Sequence, residues 1–240
     1  MGLMRCRFRA VIRERDYFGA VAEAEEDALA VPEKTRFDKV LCRRLAVAGL
    51  LVRDLHAGPS FGRTKLAKLF YLADTNEDLG LDTHYAREAA GPLDQRALYN
   101  QRIGIEALAQ KYRLFQPEIS GKMVRYQPLE ALKHVDRFSA KHLGAKVERI
   151  RVIASALKHL TTEQSEIIAT LFACWNDFLI QNHSPTVDEI ITEFLLHWHV
   201  KKGRFSRGRL KKALSWMQSH ALTPSGRGNL TSVKASGINC

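Results

Sequence analysis

Two short polar signatures restrict the fold more than anything else in this chain. Thr161-x-x-Gln164 and Thr186-x-x-Glu189 each stand directly before an apolar stripe. This is the arrangement of a capping box, in which two side chains satisfy backbone N–H groups that a helix start leaves unpaired. After the first box, Ile168, Leu171, Phe172, Trp175 and Phe178 recur at helical spacing to about residue 180. After the second, which follows Ser184-Pro185, the stripe is Ile190, Ile191, Phe194, Leu195 and Trp198. The loop HVKKGRF leads to a third helix, about 206–219, whose inner face is Leu210, Ala213, Leu214 and Met217. Three helices in succession are predicted, and then Ser225-Gly226-Arg227-Gly228 supplies a turn between 221–224 and 229–233 that reads as a small wing.

The remainder of the 240 residues has room for one large domain or two modest ones. A helix over 36–56 carries Phe37, Val40, Leu41, Leu45, Ala48, Leu51 and Leu55 inward and ends at Gly58-Pro59. A second, Thr64 to about Asn76, has Leu66, Leu69, Phe70 and Ala73 on one face, leaving Lys65 and Lys68 to water. A third, 93–112, turns Leu98, Ile105, Leu108 and Tyr112 inward. A hairpin turning at Ser120-Gly121 follows, and then a helical connector broken at Gly144. The fold class expected is mainly α: two helical units with small β-hairpins, the C-terminal one winged-helix or helix-turn-helix-like. The expected divisions are an irregular basic segment over 1–35, a helical domain with hairpin over 36–130, a connector over 131–160 and a basic domain over 161–240.

The stretch GPSFGRTKLAKLF, residues 58–70, approaches a phosphate-binding loop but has three residues between its glycines, Arg63 in place of Lys, and no strand before it. A turn at Gly62 with Thr64 capping the next helix accounts for it better. A nuclease of the PD-(D/E)xK type needs an acidic residue two positions before Lys, and the chain has none. His197 and His199 point away from each other on a helix, which disfavours a shared metal ion. Asp74–Asp78 lacks the glycine and distal Glu of a calcium loop and reads as a solvated helix end. Trp175 and Trp198 lie on apolar faces and are expected in the core, with Trp216 at the side of its stripe. No catalytic residue, cofactor site or metal site is expected.

Charge is unevenly distributed. Nine of the 37 Lys and Arg residues fall in 201–240, which contains no Asp or Glu, so the preceding 200 residues carry 28 basic against 26 acidic side chains. Such polarisation is the footprint of a polyanion-binding face. Lys212, Ser215 and Ser219 fall opposite the apolar stripe of the last helix, with Lys211 and Arg209 at its borders. The expected DNA contacts are Lys201, Lys202 and Arg204 in the loop, Arg207, Arg209, Lys211 and Lys212 on the helix, and Arg227 in the wing. No apolar run reaches the roughly 18–20 residues of a membrane span. The four cysteines are too far apart for a disulfide or zinc framework, so Cys42 and Cys174 read as reduced core residues and the expected compartment is the cytoplasm.

Two stretches resemble known families. FGRTKLAKLFYLAD with HYAREAAGPLD resembles the signature of the Panacea, or SocA-like, domain, through Lys65, Leu66, Lys68, Leu69, Tyr71, Ala73, Gly91 and Pro92. Ala90 stands where an aromatic residue usually precedes Gly-Pro. The region from Thr162 through Gly228 is similar to C-terminal parts of bacterial type I restriction-modification proteins, of the specificity and methyltransferase-associated kinds. The resemblances imply a non-catalytic DNA-binding accessory or regulator of a restriction-modification or defence system. The alternative they imply is an antitoxin-like adaptor that binds a toxin or a larger restriction subunit.

Overall fold

Two helices that expose almost nothing organise the molecule. The computed structural model describes residues 31–121 and 123–233; the expected N-terminal segment up to residue 30, with Lys122, Lys234 and Cys240, lies outside them. Helix α1, Arg36–Leu55, starts at a capping box in which Thr35 and Asp38 exchange backbone-to-side-chain hydrogen bonds of 2.9 and 3.1 Å. From Val40 to Val52 it is buried on nearly every side. Helix α2, Arg63–Glu77, is buried without interruption from Lys65 to Thr75. A helix enclosed all round has no wet face, so the single-stripe reading of α2 fails: Lys65 and Lys68 are 1% and 2% exposed. Thr64 is not the cap either; Gly62 occupies that position and contributes no side-chain acceptor. Asp74 is buried rather than solvated, and its carboxylate accepts from the Thr83 and Tyr85 hydroxyls at 2.6 and 2.9 Å.

The segment expected as one long helix over 93–112 is divided. Strands β1, Ala86–Glu88, and β2, Gly91–Leu93, form an antiparallel hairpin with Ala86 opposite Leu93. Helices α3, Gln95–Tyr99, and α4, Ile105–Lys111, follow, separated by a turn in which the Asn100 side chain accepts from the N–H groups of Arg102 and Ile103. An asparagine that bonds the backbone ahead of it competes with helix continuation. Strands β3, Phe115–Ser120, and β4, Met123–Pro128, form the expected hairpin, with Phe115 opposite Pro128.

Helices α5, Val135–Leu143, and α6, Lys146–Leu157, are separated at Gly144 as expected, but they are not a spacer. α5 packs on α1 and α6 on both α1 and α2, so their apolar faces belong to the same core. Helix α7, Thr162–Ile180, starts at the expected Thr161–Gln164 box and packs against α2 and β2. Helix α8, Val187–Thr192, starts at the Thr186–Glu189 box and continues as a π-helical turn over Glu193–Trp198. Phe194 and Trp198 are buried, Leu195 only half so. A 3-10 turn, Val200–Arg204, leads to helix α9, Arg207–Ser219, which packs against α7 and α8.

The fold is therefore mainly helical with two small antiparallel hairpins, both lying between residues 86 and 128. The wing expected at 221–233 is not a hairpin. Ser232 forms an isolated parallel bridge with Ala86 of β1 instead. Trp175 is half-buried rather than fully in the core, whereas Trp198 is buried and donates from its indole nitrogen to the Glu88 carbonyl at 3.0 Å. Cys42 and Cys174 are buried and unbridged, and burial pushes both thiols upward, Cys42 to about 11.

Gly91 fixes how β2 meets the helices. Its φ of +99° lies where side chains are strained, and a Cβ there would stand 2.6 Å from the Thr170 hydroxyl oxygen. Gly91→Ala should lower the unfolding free energy by roughly 2–4 kcal/mol, combining left-handed strain with overpacking. Urea unfolding followed by circular dichroism measures this, and a loss within error of zero would mean that β2 is free to move away from α7.

Candidate nucleic-acid interface

Helix α9 presents its basic side chains outward, but folding supplies acids to most of them. Its start is capped by Ser206, whose hydroxyl accepts from the Arg209 N–H, and Leu210, Leu214 and Met217 point inward against α7 and α8. Asp188, in the first turn of α8, lies 3.0 Å from Arg207 and 3.3 Å from Lys211. These two ion pairs hold its carboxyl below the ordinary aspartate range. Glu163, in the first turn of α7, lies 2.5 Å from Arg209 and 3.8 Å from Arg204. The guanidinium groups of Arg204 and Arg209 sit over the Phe205 ring at 4.6 and 5.5 Å. Asp188 is thus shared by two cations, which leaves one positive charge in excess there, whereas Arg204 at the Glu163 place also reaches Glu166 at 3.3 Å.

Lys201 and Lys212 are exposed, and no ion pair to either is found among the described residues. Lys212 and Arg209 border a cleft of about 210 Å³ between α7 and α9, with Gln164, Ile168 and Trp216 on its walls. Trp216 is half-buried and stacks on His220 with ring centres 4.1 Å apart. Arg227 is exposed, its backbone N–H and carbonyl held by the Asn176 side chain in the second half of α7.

Lys202 corrects the sequence-based expectation outright. It is fully buried, its amine donating to Glu166 Oε1 at 2.8 Å and to the Thr170 hydroxyl at 3.0 Å. It cannot reach a phosphate. Its amine also faces the rings of Phe194 and Phe205 at 5.2 and 5.9 Å. Arg204 adds a longer bond to the same Glu166 oxygen at 3.3 Å.

Two more buried amines complete this interior network. Lys68 Nζ donates to the Pro92 carbonyl at 2.6 Å. Burial, with the neighbouring Lys202 charge, pushes its pKa down to about 7. Lys65 Nζ donates to the Ser60 hydroxyl and to the carbonyls of Lys158 and Leu160 at 3.0, 3.0 and 2.5 Å, and burial lowers its pKa too. Arg63, at the position a phosphate loop would give to Lys, makes a two-pronged pair with Glu106 at 2.8 and 2.6 Å. Glu106 also accepts from the Tyr126 hydroxyl at 2.7 Å. The glycine-bounded stretch is occupied structurally.

The two histidines once weighed as a metal pair have separate roles: His197 contacts Glu193 at 2.9 Å, and His199 accepts from the Lys201 N–H at 3.1 Å. Sequence reasoning passed over Asn176 and Asp177, whose polar pair interrupts the apolar run of α7 and both of which are buried. That interruption was the available signal. No helix among the described residues is long and apolar enough to cross a membrane. No family model, curated protein or solved structure matches the chain.

Removing Lys202 leaves the buried Glu166 carboxylate only the longer bond from the half-exposed Arg204, so Lys202→Met should destabilise the fold by about 2–4 kcal/mol, and adding Glu166→Leu should recover most of that. A surface lysine would change stability hardly at all, and urea unfolding of the two variants distinguishes the cases. Lys68 adds a pH dependence of defined sign. Its folded pKa of about 7 lies below the ordinary lysine value of 10.5, so between these pH values the unfolded chain binds the extra proton. Wild-type stability should therefore rise relative to Lys68→Met as pH is raised from about 7 towards 10, and parallel curves would contradict the burial of a titrating amine.

Proposed function

We propose that the chain is a non-catalytic DNA-binding accessory protein of a bacterial restriction-modification or related defence system. In this reading the outer face of α9 and the turn before it engage the nucleic-acid backbone. The observation that supports it is a surplus of cations over acids: Asp188 is shared between Arg207 and Lys211, and Glu163 and Glu166 between Arg204, Arg209 and the buried Lys202. Exposed ion pairs of this kind are weak, worth about 0–1 kcal/mol, so a phosphate can displace a carboxylate at little cost. Lys201 and Lys212 add two positive charges without acids to displace. Lys202 leaves the proposed contact set because it is buried, while Arg227 is exposed and stays in it.

Backbone contacts by Lys and Arg carry little sequence information, and binding of this type weakens linearly in log[salt]. A winged-helix geometry is not needed for it; a helix lying along a groove with cations at its borders suffices.

A second reading is an adaptor that docks on a toxin or a larger restriction subunit. Leu196 and Val200, 72% and 88% exposed at the corner between α8 and α9, favour it. Leu196→Asp with Val200→Asp would abolish co-purification of the neighbouring gene product while leaving DNA affinity unchanged if this reading holds.

The DNA reading makes a distinctive demand on the acids. Asp188→Asn, which frees Arg207 and Lys211, should tighten duplex binding roughly two- to fivefold at low salt, and Glu163→Gln should do so by less, because it frees Arg209 while Arg204 keeps Glu166. Lys212→Gln and Lys201→Gln should each reduce the salt slope by about one. Fluorescence anisotropy across a salt series measures both, and wild-type protein that shows no binding, or binding indifferent to salt, rules the reading out.

A further inference from the structure

Residues 222–233 follow α9 as an extended segment with no helix or hairpin of its own, and their attachment is built like the recognition of a peptide. Asn176 Oδ1 accepts from the N–H groups of Gly226 and Arg227 at 3.1 and 3.3 Å, while its Nδ2 donates to the Arg227 carbonyl at 2.8 Å. One residue further along α7, Asp177 Oδ1 accepts the Thr231 N–H at 3.0 Å and Oδ2 accepts the Thr231 hydroxyl. Arg87 of β1 donates from Nε to the same hydroxyl oxygen at 2.9 Å and from Nη2 to Asp177 Oδ2 at 3.0 Å. Its remaining nitrogen is held by Glu193 at 2.5 Å, and the guanidinium lies 5.0 Å from the centre of the Trp198 ring. Beyond Thr231, the backbone joins the β1 edge: Arg87 N–H donates to the Ser232 carbonyl and Ser232 N–H to the Tyr85 carbonyl, both at 2.9 Å.

The selective positions are three. Thr231 is 7% exposed and its hydroxyl and N–H are both read by one carboxylate. Gly226 has φ of +70° and packs on α7 so closely that a Cβ would meet Leu179 Cβ at 3.1 Å. Between them Arg227, Gly228, Asn229 and Leu230 are exposed, but Gly228 has φ of +81° and Asn229 donates from Nδ2 to the Thr83 carbonyl at 3.4 Å. Main-chain bonds to an exposed strand edge, with pockets for a few side chains, constitute recognition by strand addition.

Only Leu222, Pro224 and Thr231 of the segment are buried, so polar contacts rather than apolar burial hold it. It leaves α9 through Ala221, whose φ of +52° is a left-handed conformation that costs an alanine about 1–2 kcal/mol. Were the segment lifted away, Asp177 and Arg87 would remain as a buried charged pair facing an open groove, able to accept from an N–H and a hydroxyl and to donate to the same hydroxyl.

We propose that the groove formed by Asn176, Asp177, Arg87 and the edge of β1 is a docking site for an extended Gly-x-Gly-x-x-Thr segment of a partner protein, and that residues 226–232 are a resident occupant which the partner displaces. The partner is defined by this chemistry: two glycines, two positions apart, able to adopt positive φ, exposed side chains at the positions of Arg227 and Leu230, and a threonine or serine followed by an extended backbone. The site is separate from the basic face of α9, so it stands or falls independently of DNA binding.

The full chain carrying Thr231→Val tests it, since the occupant is weakened while the groove keeps all its side chains. A fluorescent peptide of the sequence Pro224–Val233 should bind this variant at least about tenfold more tightly than wild type, the effect of losing a hydroxyl bonded to a charged group. Adding Asp177→Asn should remove binding, and peptides with alanine for Gly226 or valine for Thr231 should fail to bind. A Thr231→Val protein with native circular dichroism that ignores the peptide overturns the proposal, as does binding that survives Asp177→Asn. So does a variant that becomes a dimer closed to the peptide, which would assign the groove to a second copy of the chain. Should Thr231→Val not fold, hydrogen exchange on wild type decides: excess peptide must accelerate exchange at Thr231 and Ser232, and unchanged protection overturns the proposal.

Discussion

Enclosure of α2 on every side is the constraint from which the rest of the interior follows. A helix with neighbours all round can keep its two lysines only if the amines find oxygen atoms inside the protein, because an unpaired buried ammonium group is prohibitively costly. Lys65 takes the carbonyls at the end of α6, and Lys68 takes the carbonyl of Pro92. Those two bonds fix the loop from α6 to α7 on one side of α2 and the β1–β2 hairpin on another. Lys202, sent inward from the turn before α9, then pairs with Glu166 and Thr170 on the face of α7 that meets the hairpin. The last helix is thereby tied to the same interior by a charge. Buried amines of this kind contribute little net stability, yet wrong arrangements that leave them unpaired are penalised heavily, so they select one packing.

The exposed charges of α9 obey a different economy. Acids in the first turns of α7 and α8, beside the box residues Gln164 and Glu189, complement the helix dipole. Glu163 and Asp188 stand in those first turns, and the packing of α9 between α7 and α8 brings its two basic borders against them. The pairing therefore follows from helix starts meeting a basic helix, whatever that helix binds. What distinguishes the face is the surplus of cations over acids, together with Lys201 and Lys212, which have no acid opposite them among the described residues.

Much of the helical skeleton was legible in the sequence, because capping boxes and apolar stripes are local signals. The starts at Thr161 and Thr186, the turn at Gly121 and the break at Gly144 are all encoded within a few residues. What was not legible depends on distant neighbours. Lys65 and Lys68 look wet from spacing alone, since periodicity records which face is apolar and not whether the other face is also covered. Lys202 looks like one more cation in a basic run, and nothing within that run announces Glu166, 36 residues away, as its partner. The wing failed for a similar reason: Ser225-Gly226 supports a turn, but Asp177 and β1 offer the following residues better partners than each other. Asn176-Asp177 was the readable exception, a polar pair inside an apolar helix that needed something to bind.

These contacts also change the meaning of the pattern Lys65, Lys68, Gly91 and Pro92. Lys68 needs the carbonyl of Pro92; Pro92 reaches it because Gly91 turns with positive φ under Thr170; and Thr170 shares Lys202 with Glu166. Each residue is required by the next, so the pattern is a lock that closes a hairpin onto two helices. A lock of this kind specifies a scaffold without specifying an activity. Any chain that keeps it is free to vary what it presents outside, here the cations of α9 and the groove along β1. Function in such a fold has to be sought at those surfaces, where side chains are not already committed to holding the interior together.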